Sequence, residues 1–303
     1  MKIALIGVGK IALDQHVPAI AGSEDWELAA TCSRHGSVPG VPAFTDLDTM
    51  LAAHPDIETV SLCMPPVPRF DFAAKAIAAG RNVMLEKPPG ASLAECHALE
   101  AMARAAGVSL FATWHSRAAD KVQGAKAWLQ DKSITRAHVT WRESVRKWHP
   151  GQDWVFEPGG MGVFDPGING LSILTEILPA PVHLRSATLA YPENRQTPIA
   201  ARLSFTGNTS AEFDWREEDR DVWDIEVDTP DGTLALRDGG ARMEIDGADH
   251  DDGQPALGEY PRLYVQMADL VRAGAIDMDL SPLVHVADAH MLGRRETVEP
   301  FDF

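Results

Sequence analysis

Cysteine is scarce in this 303-residue chain: Cys32, Cys63 and Cys96 are the only three. An odd count with no CxxC pair indicates neither a disulfide framework nor a zinc site. Reduced thiols and a cytoplasmic setting are expected. Basic residues are also few, 27 Lys and Arg against 44 Asp and Glu, for a net charge of −17. Nucleic-acid binding needs a concentrated basic face, so nucleic acid is not an expected partner, and anionic membranes are disfavoured for the same reason. No apolar run is long enough to span a bilayer, and Met1-Lys2 leads straight into a strand-like run without signal-peptide architecture. HExxH, GxSxG and a Walker lysine loop are missing, which removes support for zinc-hydrolase, serine-hydrolase and P-loop chemistry. Repeats and low-complexity tracts are missing too, and the acidic stretch from Asp249 to Asp252 reads as a solvated turn rather than a metal site.

What is present is an ordinary globular composition, 45% hydrophobic and 23% charged, long enough for two domains. Strand-like runs begin at Ile3, Leu28, Thr59, Asn82 and Val108. Between them lie helical segments near Ile11, from Phe70 to Ala79, and after the capping box Ser92-Leu93-Ala94-Glu95. This alternation predicts a Rossmann-type, doubly wound parallel sheet over residues 1–116. Beyond it, closely spaced strands separated by Gly, Asn and Asp turns predict an α+β domain over 117–303 with a largely antiparallel open sheet. Helices are expected from Asp120 to Gln130, Gly167 to Leu178, Glu259 to Ala273 and Ser281 to Gly293. A sheet with helices on one face leaves a face to cover, so a homodimer is expected.

Gly7-Val8-Gly9-Lys10-Ile11-Ala12 follows the first strand and opens a helix. That is the dinucleotide fingerprint with Ala at its third small position: Gly7 for the tight turn, Gly9 for close backbone approach to pyrophosphate, Ala12 for helix–sheet packing. The second strand ends Thr31-Cys32-Ser33-Arg34-His35, with no carboxylate for a ribose 2′-hydroxyl. Ser33 and the planar fork of Arg34 suit a 2′-phosphate, so NADP is expected in preference to NAD. The other reading has Arg34 stacking on adenine and accepting either cofactor.

Two further regions carry chemistry. Glu86-Lys87-Pro88-Pro89 puts a lysine at the carboxyl end of an α/β strand, where open sheets place ligands. Between Trp141 and Asn169, polar and aromatic groups crowd together: Glu143, Trp148, His149, Trp154, Asp165 and Asn169. Hydroxyl-rich sugars need both hydrogen-bonding side chains and apolar ring faces. Gly159-Gly160, Gly162 and Pro166-Gly167 punctuate the segment and are expected to let backbone approach a ligand. Asp165 and Asn169 share one face of the helix start. Two readings stand for Asp165, a reacting carboxylate or an N-cap. Asn169 is read either as a ligand contact or as a partner for buried backbone.

GVGKIA, Glu86-Lys87-Pro88 and Asp165-Pro-Gly-Ile-Asn169 together resemble the glucose–fructose oxidoreductase/inositol dehydrogenase (Gfo/Idh/MocA) family over the whole chain. Longer strings, among them Phe111-Ala-Thr-Trp-His-Ser-Arg117 and Trp148-His-Pro-Gly-Gln152, are similar to its branch of bacterial L-arabinose and D-galactose 1-dehydrogenases. The resemblance implies oxidation of an aldopyranose at its anomeric carbon to a lactone. It also implies sugar contacts from Lys87, Glu143, His149, Asp165 and Asn169, and a 2′-phosphate site at Ser33 and Arg34. Trp148, Trp154 and His115 are expected beside the sugar. Gly7, Gly9, Lys10, Ile11, Cys63, Pro65, Glu86, Lys87 and Trp114 are expected beside the cofactor. Many family members carry histidine where this chain has Asn169, whose amide is no base. Asp165 is therefore expected to take the proton, with Lys87 orienting the hydroxyl. Inositol oxidation, oxidoreduction between two bound sugars, and a non-catalytic sugar or cofactor sensor are the alternatives.

Overall fold

The computed structural model describes residues 1–303. In chain order the strands are β1 (Lys2–Ile6), β2 (Glu27–Cys32), β3 (Ala43–Phe44), β4 (Thr59–Leu62), β5 (Asn82–Leu85), β6 (Leu110–Ala112), β7 (Arg136–Arg142), β8 (Leu184–Pro192), β9 (Ala200–Phe205), β10 (Thr209–Asp214), β11 (Val222–Thr229), β12 (Gly232–Arg237), β13 (Arg242–Ile245), β14 (Ala248–Asp249), β15 (Ile276–Asp277) and β16 (Arg294–Val298). The helices are α1 (Val17–Ala21), α2 (Leu47–Ala53), α3 (Pro66–Ala78), α4 (Leu93–Ala106), α5 (Val122–Leu129), α6 (Val145–Trp148), α7 (Phe164–Ile177), α8 (Glu259–Ala273) and α9 (Ser281–Leu292).

The chain forms two compact units, residues 1–115 with 257–280, and residues 116–256 with 281–303. The chain first passes from one unit to the other after His115. A second domain continuous from 117 to 303 does not form, because α8 and β15 return to the first unit, where β15 pairs in parallel with β6. The fully buried Tyr264 and Met267 of α8 are part of that unit's interior.

In the first unit a seven-stranded sheet runs β15-β6-β5-β4-β1-β2-β3, every pair parallel. Its inner six follow the dinucleotide-binding order, which puts the strands' carboxyl ends where a ligand is held. Strands of this kind are buried on both faces, and Ile3 to Leu5 and Val83 to Leu85 are fully inaccessible. Helix α4 starts on the expected cap, Ser92 Oγ accepting from Glu95 N–H, and stops at Gly107 in the left-handed region.

In the second unit a nine-stranded sheet runs β14-β13-β12-β11-β7-β10-β9-β8-β16. It is mostly antiparallel, with parallel pairs only at β7–β10 and β8–β16. Burial alternates strictly along β7, β9 and β10. One face carries apolar residues such as Val139, Trp141, Leu203 and Phe213 against α5, α7 and α9. Residues such as Arg142, Arg202, Glu212 and Asp214 lie on the other. Helix α7 approaches the sheet closely: a Cβ on Gly167 would stand 2.7 Å from the Phe213 ring, and one on Gly170 would stand 2.7 Å from Val139.

Candidate active site

The loop from β1 into the first helix has the geometry of a phosphate cradle. Gly7 adopts φ +86°, and a Cβ there would lie 2.9 Å from the Met64 backbone N, so the chain itself demands glycine. Gly9 differs: its φ lies outside the left-handed range and a Cβ would meet nothing within 4 Å. Nothing in the protein explains a missing side chain at Gly9, whereas a ligand's close approach does. Ala12 is fully buried as the packing position, Ile11 is 38% exposed, and Lys10 is exposed and ion-paired to Asp14. At the end of β2 the Ser33 N–H donates to Phe44 O at 2.9 Å, and Arg34 is exposed with no ion pair. Gly36, which the sequence did not single out, lets this turn press on the Gly-rich loop; a Cβ there would stand 2.0 Å from Val8 O. Pro65 is exposed at the N-terminus of α3. These residues fit a dinucleotide, with the pyrophosphate at the Gly-rich turn and the adenosine ribose beside Ser33 and Arg34.

Below the carboxyl ends of the strands lies a buried polar array. Glu86 is 5% exposed. Its Oε1 accepts from Tyr260 OH at 2.7 Å and from His16 Nε2 at 3.0 Å, and its Oε2 accepts from the Lys87 N–H at 2.9 Å. His16 Nδ1 lies 2.8 Å from Tyr264 OH. Burial would raise the Glu86 pKa, but the His16 hydrogen bond and charge, with His115 and Tyr260 behind them, hold it at about 2. Burial also opposes a charge on His16, yet the surrounding polar groups Cys63, Tyr264 and Glu86 raise its pKa well above the ordinary value. The pair is thus an imidazolium on a carboxylate. Burial and Glu86 push the Tyr260 phenol well upward, which keeps it a neutral donor. His115 stacks on Tyr260 with ring centroids 5.8 Å apart and pairs with Glu259 Oε2 at 2.7 Å.

Three expected contacts therefore have other partners. The Glu86 carboxylate, placed at the cofactor by the sequence reading, turns inward. His115, expected at the sugar, is engaged with Glu259 and Tyr260. Trp114, expected at the cofactor, is 4% exposed and donates its indole N–H to Asp279 O at 2.8 Å. Cys63 is buried, its Sγ 3.7 Å from Ser61 Oγ. Lys87 is half-buried on a backbone held from both sides. The guanidinium of Arg69, 2% exposed, donates to the carbonyls of Met64, Glu86 and Pro88, and the Lys87–Pro88 peptide is cis. His16, Arg69, Tyr260 and Tyr264 escaped the sequence reading. The tyrosines did carry a signal: the chain has only three, and two sit four apart on one helix.

The second unit brings together most of the expected sugar residues. Glu143, just past β7, is 7% exposed, and its two oxygens accept from the indole N–H groups of Trp215 (3.3 Å) and Trp223 (2.9 Å). It is not the solvent-facing strand residue that alternation permits. His149 Nε2 lies 3.2 Å from Asp165 Oδ2, and its Nδ1 lies 3.3 Å from Gln152 Oε1. That same Oε1 accepts the Trp154 indole N–H at 3.1 Å. An indole N–H only donates, so Oε1 is the acceptor for His149 as well and Nδ1 carries a hydrogen.

Asp165 sits in the first turn of α7, whose N-cap is Val163, so it does not cap the helix. The helix starts before Gly167 because Pro166 in the first turn has no N–H to lose. Asn169, one turn on, is half-buried and its side-chain amide has no protein partner. Trp148 is 39% exposed and leans on Trp223 in a tilted contact, centroids 5.8 Å apart and planes 47° to each other. Gly160 and Gly162, expected to admit a ligand, pack on the protein instead. A Cβ on Gly160 would stand 2.3 Å from Trp154 O, and one on Gly162 would stand 2.3 Å from Pro198 O. Gln152, Trp215 and Trp223 were not anticipated as site residues.

Residues 1–113 match a family model described as an oxidoreductase family with an NAD-binding Rossmann fold. A galactose 1-dehydrogenase of Pseudomonas fluorescens is 37% identical, covering 99% of this chain and 98% of its own. The crystal structure of a D-galactose-1-dehydrogenase from Rhizobium etli superposes with TM-score 0.95 at 51% identity, over 99% of this chain and 97% of that one. A 3-ketoreductase from Actinomadura kijaniata, solved with NADP, shares the fold at 18% identity and TM-score 0.84. With the nucleotide cradle, the sheet order and a relative aligned from end to end, the chain belongs to the glucose–fructose oxidoreductase/inositol dehydrogenase family of oxidoreductases.

Proposed function

We propose that the protein is a dehydrogenase that oxidises an aldopyranose at C1 to its lactone and reduces NADP. The observation that carries the reading is the Asp165 carboxylate, 13% exposed and 3.2 Å from His149 Nε2, with the unpartnered Asn169 amide one helical turn away. Oxidation at C1 removes a hydride from carbon and a proton from the anomeric hydroxyl, and the C–O bond becomes the lactone carbonyl. The bound nicotinamide supplies the hydride acceptor. Asp165 takes the proton. Its place in the first turn of α7 favours the ionised form, which is the form that can accept a proton. Lys87 orients the hydroxyl, and Asn169, Glu143 and His149 hold other hydroxyls. Trp148 and Trp154 offer apolar faces.

The similarity to two galactose 1-dehydrogenases over nearly the whole chain makes D-galactose the first substrate to test. L-arabinose and D-fucose share its C2 to C4 arrangement. Arg34, free of any ion pair at a strand end without a carboxylate, favours NADP over NAD. Three free cysteines suit a reducing cytoplasm, and the polar outer face of the nine-stranded sheet suits a homodimer. A spectroscopic screen of NADP and NAD reduction over D-galactose, L-arabinose, D-fucose, D-xylose, D-glucose and myo-inositol tests the reading. The galacto-configured sugars with NADP should give the highest kcat/KM. Turnover confined to myo-inositol, or none of the free cofactor reduced, would reject it.

A further inference from the structure

Glu86 is a buried carboxylate, and two side chains from distant parts of the chain, His16 and Tyr260, donate to it. His16 ends a π-helical turn, Ala12–His16, that directly follows the Gly-rich loop. Such turns are uncommon and cluster at functional sites. Tyr260 comes from α8, 174 residues away in sequence, and Tyr264 on the same face of α8 closes on the far nitrogen of His16. What these contacts leave over is one oxygen, Oε2, and it receives the main-chain N–H of Lys87. Arg69 grips the carbonyls on either side of that residue, those of Glu86 and Pro88.

We propose that His16 and Tyr260 are positioning residues for Lys87, acting through Glu86. They fix the carboxylate so that its second oxygen pins the Lys87 backbone, which sets where the ammonium is presented. The proposal rests on the reading of Lys87 as a substrate-orienting lysine. The physical reason is rotational. A carboxylate with one donor on each oxygen can still swing about its Cγ–Cδ bond. Oε1 holds two donors, a phenol and an imidazole whose ring planes meet at 70°, and Oε2 holds a third, and together they oppose that rotation. A lysine side chain has four flexible torsions, so an error at its backbone is carried to its tip. Small misplacements of reacting groups are costly in rate.

The test is a double-mutant cycle on kcat with the sugar and NADP, using the full chain. Tyr260→Phe keeps the stacked ring and removes the O–H donor; Lys87→Met removes the ammonium. Tyr260→Phe alone is expected to lower kcat about tenfold while the NADPH dissociation constant, read by fluorescence, stays within about twofold. In the Lys87→Met background the same substitution should change kcat by less than about twofold, because the group it positions is gone. Glu86→Gln provides the second variant and should show the same dependence on Lys87. Losses that multiply, with Tyr260→Phe costing as much without Lys87 as with it, would overturn the proposal and leave the role of Lys87 standing. Unchanged kcat in both Tyr260→Phe and Glu86→Gln would overturn it as well. If Lys87→Met itself turns over at the wild-type rate, the reading of Lys87 fails and the proposal falls with it.

Discussion

Each unit buries one glutamate, and the two are held in opposite ways. Glu86 is 5% exposed and shares its charge with an imidazolium; Glu143 is 7% exposed and is held by two neutral indoles. An imidazolium cancels the carboxylate, whereas an indole N–H satisfies an oxygen and leaves the charge intact. Each carboxylate oxygen has more than one acceptor site, so an indole donor does not by itself saturate it. We read Glu86 as a structural anchor and propose Glu143 as an acceptor for sugar hydroxyls. Burial alone does not separate the two cases; the charge of the partner does.

That comparison can be broken by removing each carboxylate. Glu86→Ala strands a buried imidazolium and should cost about 3–5 kcal/mol of stability, measured by denaturant unfolding. An unchanged unfolding midpoint would show that the His16–Glu86 pair is not ionic. The pH dependence sharpens the same point. The folded-state pKa of Glu86 falls from 4.5 to about 2, so its contribution, about 3 kcal/mol, is complete above pH 4.5 and is lost as pH falls toward 2. The pKa of His16 is raised above 6.5, so its contribution is complete below that value and is lost as pH climbs through the raised pKa. Wild-type stability should therefore be highest near pH 5–6 as far as this pair is concerned. Glu86→Gln should flatten both limbs. Glu143→Gln is the smaller effect on stability and the more specific effect on function. One indole loses its acceptor, and kcat/KM for the sugar should drop about 10–100-fold, the worth of a charged hydrogen bond. The KM for NADP should stay put. A stability loss as large as that of Glu86→Ala without a change in kcat/KM would remove the distinction.

The nucleotide-binding half of the fold was legible because its signals are local. Strand–helix alternation, GxGxxA and the Ser92 cap all operate within a few residues. Tyr260 and His16 were not, since nothing in the helical pattern of α8 says which unit it will join. The two-residue strands β3, β14 and β15 are too short for periodicity to register. In the second unit the site residues were visible as types but not as partners. Glu143 was expected at the sugar, but its holding by Trp215 and Trp223 was not legible, and Gln152 had no distinguishing feature before it bridged His149 and Trp154. Glycine was misread in a consistent way. Gly160, Gly162 and Gly167 answer to neighbouring protein atoms, whereas Gly9 stands beside open space.

The central claim is that Asp165 removes the anomeric proton, and its most direct test is the kcat of Asp165→Ala with D-galactose and NADP, alongside NADPH binding by fluorescence. The expected result is a kcat lower by about 10²–10⁴ with cofactor affinity unchanged. Turnover within a few-fold of wild type would contradict it.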